Sequence, residues 1–164
     1  MTPRRCVVVG VGNAYRRDDA VGLAVAASLR GRTPDGVAIV ECEQEPTRLL
    51  EAWSAADAAV VVDAASSGAE PGTLHRYDAS ETPVPARAFR SSTHAFGVGE
   101  TIELSRALGT LPGRVVVYGV EGSDFSAGDG LSDAVGACVE TAVRAVLDDL
   151  ELLRGKEAPC TSVH

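Results

Sequence analysis

The sequence predicts an α/β fold: a three-layer sandwich in which a five-stranded, mostly parallel sheet with one antiparallel edge strand carries helices on both faces. Three observations predict it. Continuous apolar, β-branched runs at 6–9, 58–62 and 115–118 have the composition of strands buried on both faces. Segments with apolar residues at helical spacing alternate with these runs, as in sheets built with crossover helices. One connection, 65–72, is too short for a crossover helix and so turns the chain back antiparallel.

Arg5 to Gly10 is the first strand, followed by a polar turn from Gly12 to Asp18. From Asp19, the residues Val21, Ala24, Val25, Ser28 and Leu29 recur at helical spacing, with Asp18 and Asp19 at the positive end of that helix and Gly31 as its stop. Val37 to Cys42 is the second strand, Pro46 to Ala55 a short helix with proline in its first turn, and Ala58 to Ala64 the third strand. Thr73 to Tyr77 is the antiparallel fourth strand, at an edge. A proline-containing loop then leads to a helical segment, Thr93 to Leu108, and Arg114 to Val120 is the fifth strand. Val135, Val139, Ala142, Val146, Leu150 and Leu153 lie on one face of a long closing helix, with Ser132 as N-cap and Gly155 as stop. Residues 1–155 read as one domain and 156–164 as a disordered tail.

The 164 residues suit one hydrophobic core. With 15 basic and 23 acidic residues the formal charge is −8, which opposes phosphate backbones and anionic membrane surfaces, so neither nucleic acid nor membrane is expected as a partner. The longest apolar runs fall far short of the roughly 20 residues of a membrane span, and the basic start at 1–5 has no secretory apolar region behind it. Cys6, Cys42, Cys138 and Cys160 form no CxxC pair, which argues against a disulfide framework or zinc ribbon and for a reducing, cytoplasmic setting.

In a doubly wound fold, ligands bind outside the carboxyl ends of the strands. That rule selects four junctions: 10–19, 42–45, 63–67 and 121–130. Gly10-Val11-Gly12-Asn13 is similar to half of a dinucleotide fingerprint, with Tyr15 in place of the third glycine. A nucleotide-binding, Rossmann-like module using the Gly10/Gly12 turn, with Glu41 on a ribose, is therefore one reading. Against it, Asp18 and Asp19 stand where pyrophosphate needs a positive helix end. A second reading takes Asp19, Asp63 and His94, residue types that ligate divalent metals and that this topology brings to one sheet edge. Each also has a plain structural role: a helix cap, a strand-end turn and an exposed first-turn residue. Ser66, Ser67, Ser91 and Ser92 with His94 and Asp63 supply the types of a nucleophilic triad, but no GxSxG elbow accompanies them. His75 and His164 read as solvent-facing, Cys42 as strand-end packing and Trp53 as core. Arg16 and Arg17 balance the nearby aspartates or steer an acidic or C-terminal peptide, and Glu41, Glu43 and Glu45 form a solvated cluster at the site edge.

Gly10-Val11-Gly12-Asn13, Asp18-Asp19-Ala20-Val21-Gly22, Val60-Val61-Val62-Asp63-Ala64, Pro71-Gly72-Thr73, Ser92-Thr93-His94-Ala95-Phe96-Gly97 and Val117-Tyr118-Gly119-Val120-Glu121, in that order and spacing, resemble the hydrogenase maturation proteases. The resemblance runs from Arg5 to about Leu153. It implies an endopeptidase that removes a short C-terminal extension from the large-subunit precursor of a nickel-iron hydrogenase after nickel insertion. It also implies a divalent metal, nickel supplied by the substrate, and no organic cofactor. The family's metal-binding positions match Asp19, Asp63 and His94; aspartate at 19 reaches less far than the glutamate common there. Asp19 and Asp63 are also the catalytic candidates, since either the metal or a carboxylate can activate the water. The stretch 41–47, Glu41-Cys42-Glu43-Gln44-Glu45-Pro46-Thr47, departs from the family's glycine-rich turn in a loop thought to meet the substrate. The helix patterns demand no self-association face, so a monomer is expected.

Overall fold

Valine-rich segments form the centre of a five-stranded sheet of order β2-β1-β3-β5-β4 in the computed structural model, which describes residues 4–43, 45–85 and 97–155. The strands are β1 (Cys6–Gly12), β2 (Val37–Glu43), β3 (Ala58–Ala65), β4 (Leu74–Asp78) and β5 (Arg114–Glu121). The helices are α1 (Val21–Leu29), α2 (Pro46–Trp53), α3 (Val98–Leu108) and α4 (Asp133–Leu153), and a 3-10 turn, Arg17–Ala20, precedes α1. β1, β2, β3 and β5 run parallel, while β4 pairs antiparallel with β5 at the edge, as the short 65–72 connection requires.

Side-chain alternation divides the core into two layers. On one face Val8, Val60, Val62, Val116 and Tyr118 pack under α1 and α4 through Val21, Val25, Leu29, Val146 and Leu150. On the other, Val7, Val9, Val61, Val115 and Val117 pack under α2 and α3 through Leu49, Trp53, Val98 and Ile102. The fully buried Trp53 donates its indole N–H to Ser105 Oγ at 3.0 Å, tying α2 to α3. α3 begins at Val98, where Glu100 accepts the Gly97 N–H at 3.0 Å, and ends at Gly109 in the left-handed conformation. The stretch 93–96, read as helical, lies outside the described residues, as does the tail 156–164.

Two local expectations are corrected. The first helix opens with the 3-10 turn and becomes α-helical only from Val21. Ser132 stands at the N-cap of α4 but makes no side-chain cap bond, because its hydroxyl donates instead to Asp18 Oδ2 at 2.9 Å.

Helix α1 lies unusually close to the sheet because glycines face each other. A Cβ at Gly22 would collide with the carbonyl oxygens of Val11 and Val62, one at Gly10 with the Gly22 carbonyl, and one at Gly12 with the Asp19 carbonyl. Gly136, on α4, has open space around it. Gly22→Ala is therefore expected to lower unfolding free energy by about 3 kcal/mol or more, whereas Gly136→Ala raises it by about 0.5–1 kcal/mol. Urea unfolding of the two variants checks both signs.

Candidate active site

The parallel strands end at one edge, and there the chain concentrates buried acidic groups. Asp63 follows the apolar run of β3 and, by alternation with Ala59 and Val61, points to the α2/α3 face. It is 6% exposed and accepts the Ala64 N–H at 2.8 Å. Burial pushes its carboxyl up to about 8; the Asp19 charge adds to the rise and the Ala64 bond opposes it. Asp19, itself 2% exposed, is placed by the 3-10 turn, where its N–H donates to the Arg16 carbonyl at 2.9 Å and its carbonyl accepts from Asn13 N–H at 3.2 Å. The two aspartates thus meet electrostatically although β2 and α2 separate them in the chain. Cys42, buried at the end of β2, feels Asp63 too. Its thiol is raised mainly by burial, which fits packing.

Asp18 has a different fate from its neighbour. Its fully buried carboxylate accepts from Ser123 N–H (2.9 Å), Asp124 N–H (2.9 Å), Ser132 N–H (2.8 Å) and the hydroxyls of Ser132 (2.9 Å) and Ser123 (3.3 Å). Burial alone would raise this carboxyl, but the bonds outweigh it and hold the group below its ordinary value. Arg17 pairs with Asp124 at 3.6 Å, so its balancing partner is in the β5–α4 loop and not in its own turn.

His94 lies outside the described residues, as do Ser91, Ser92 and His164. Among the described residues, no three His, Cys, Asp or Glu side chains gather closely enough to hold an ion. Glu41, Glu43 and Glu45 are exposed along the end of β2, as expected of a solvated cluster.

His75 requires a correction. It is not simply solvent-facing: its Nε2 lies 3.2 Å from Glu121 Oε2, and its ring stacks on Tyr77. Glu121, 2% exposed at the end of β5, also accepts the N–H groups of Ser67 and Gly68 and the Ser67 hydroxyl. Burial would raise Glu121, and these bonds lower it overall. The carboxylate stands between Ser67 and His75, so among the described residues Ser67 faces no imidazole base and these two are not a nucleophile–base pair. Register sets Asp63 beside Gly119 and Gly119 beside His75, leaving a strip without a side chain between the two polar groups. The sequence signal for Glu121 was a charge ending an apolar strand. Asp149, inside the apolar face of α4, was the signal for a second clamp: it takes a bidentate ion pair from Arg76 and the Tyr118 hydroxyl.

The glycine turn does not offer a phosphate cradle. The space next to Gly10 and Gly12 is filled by the carbonyls of Gly22 and Asp19, whose oxygens repel anions. Among the described residues no helix is long and apolar enough to cross a membrane.

The profile of the hydrogenase maturation protease family, HycI, matches residues 23–149. The chain is 30% identical over 153 residues to the hydrogenase expression/formation protein HoxM of Azotobacter vinelandii, covering 92% of this chain and 74% of that one. It is 28% identical to the hydrogenase 2 maturation protease of Escherichia coli K12, over 98% and 99% of the two chains. The solved structure of the hydrogenase maturating endopeptidase HybD from E. coli superposes with a TM-score of 0.79 at 29% identity, covering 90% of this chain and 93% of that one. The HycI maturation protease of Thermococcus kodakarensis gives 0.70 at 26% identity, over 93% and 94%.

Proposed function

The chain belongs to the hydrogenase maturation protease family and is a peptidase, and on that premise we propose that it cuts the C-terminal extension from a nickel-iron hydrogenase large-subunit precursor once nickel has been inserted. Asp19, Asp63 and His94 grip the nickel that the precursor carries. The observation that supports this most is the meeting of two buried aspartates at the carboxyl edge of the sheet, with Asp63 raised to about 8. Such a pair is costly on its own and is relieved by a divalent cation. Two carboxylates and an imidazole suit a borderline ion and leave room for substrate ligands.

The nickel belongs to the substrate and supplies Lewis acidity there. What the chain contributes is placement: holding the ion fixes the adjoining peptide segment against the edge, and such orientation removes much of a reaction barrier. Asp19 and Asp63 are the carboxylates able to take a proton from the attacking water. Replacing Asp19, Asp63 or His94 by alanine is expected to cut cleavage of nickel-loaded precursor about 100-fold or more and to abolish nickel retention, with the fold intact. Mass measurement of the large subunit and metal analysis of the variants report the two effects. Full nickel retention by Asp63→Ala would remove the basis of the reading.

A further inference from the structure

Two adjacent aspartates enter the 3-10 turn, and only Asp19 has a part in the nickel grip. We infer that Asp18 is a positioning residue: its buried carboxylate bolts the 13–19 turn to the β5–α4 loop and thereby sets where Asp19 stands relative to Asp63. This rests on the proposed role of Asp19 and Asp63.

The turn cannot hold its shape from local preference. Arg17 has φ +40°, the one positive value at a non-glycine among the described residues, a conformation that costs about 1 kcal/mol or more. Main-chain bonds hold it from outside: Arg17 N–H to Gly128 O (3.2 Å), Asp18 N–H to Asp124 O (2.9 Å) and Gly128 N–H to Tyr15 O (2.9 Å). The Asp18 carboxylate adds five more acceptor contacts to the same loop, four at Oδ2 and one at Oδ1. Asparagine cannot replace it. Whichever way the amide is turned, its NH2 faces a main-chain N–H, from Ser132 on one side or from Ser123 and Asp124 on the other. Asp19 follows directly in the chain and makes its own main-chain bonds back to Arg16 and Asn13, so a shift of the bolt moves it. Carboxylates that orient metal ligands in this way influence affinity without touching the ion.

The test compares Asp18→Asn with Asp149→Asn, which breaks another buried carboxylate clamp, on α4. Nickel dissociation constants come from calorimetric titration of each whole chain, and unfolding free energies from urea denaturation. Both variants are expected to lose stability, but Asp18→Asn alone weakens nickel binding about tenfold or more, while Asp149→Asn stays within about twofold of wild type. Ser132→Ala, which removes one hydroxyl from Asp18, is expected to weaken binding about threefold and serves if Asp18→Asn fails to fold. Unchanged affinity in Asp18→Asn or, should that variant not fold, in Ser132→Ala overturns the inference, as does equal loss in Asp18→Asn and Asp149→Asn. No nickel binding by wild type, or undiminished binding by Asp19→Ala, instead overturns the reading of the site beneath it.

Discussion

Large-subunit precursor loaded with nickel is expected to be shortened by its C-terminal extension on incubation with this chain, and precursor stripped of nickel to stay uncut, with rates differing by about 100-fold or more. On the proposed reading, two carboxylates and one histidine would form an open site with modest hold on a resident ion, and the chain has neither an HExxH helix nor a CxxC pair to strengthen it. On that reading, an ion that arrives with the substrate would turn the weakness into discrimination, because only the loaded precursor would complete the coordination. Mass spectrometry of the large subunit after matched incubations decides the matter. Equal cleavage of both forms would place catalysis on a resident metal or directly on Asp19 or Asp63.

The second large effect concerns the metal-free protein. Asp63 is held at about 8 in the folded chain and near 3.9 when unfolded, so the folded state binds its proton more tightly. The stability it contributes is complete below about pH 4 and is lost progressively as pH rises to about 8, beyond which the fold carries a buried charge. The slope approaches about −1.4 kcal/mol per pH unit. Asp63→Asn has no such titration and should exceed wild type above pH 8 by on the order of 3–5 kcal/mol, with the gap closing towards pH 4. If Asp63 holds nickel as proposed, nickel reverses the order, since a metal binds the deprotonated carboxylate and releases the proton: added nickel should stabilise wild type and leave the variant unmoved. Urea melts at half-unit pH steps, with and without nickel, give both curves. A gap independent of pH would contradict the burial of Asp63 as its cause.

The central strands were legible because residues buried on both faces leave an unbroken apolar run, as in Val60-Val61-Val62. The antiparallel edge followed from a loop too short to cross over. What escaped the sequence depends on partners far along the chain. Asp18 and Asp19 are the same letter in adjacent places, and only the 123–132 loop, more than 100 positions away, gives Asp18 the partners that set it apart from its neighbour. His75 looked solvated because nothing near it in the sequence shows that β5 places Glu121 against it. The Gly10/Gly12 turn carries the letters of a phosphate cradle, yet its purpose is clearance; the telling letter was Gly22, the small residue on the helix that faces it.

The strand order has a consequence for how the chain is made. β5 lies between β3 and β4, although both of those precede it in the sequence. A nascent chain that has emerged only as far as residue 113 therefore displays one open edge of β3, and β4 lacks its described strand neighbour. Closure waits for 114–121 to slide between them, pairing parallel on one side and antiparallel on the other. The latch that follows is later still: Arg76 of β4 meets Asp149 only when the end of α4 has left the ribosome. Until then the valine-rich edge of β3 is open to pairing with any extended segment that fits it.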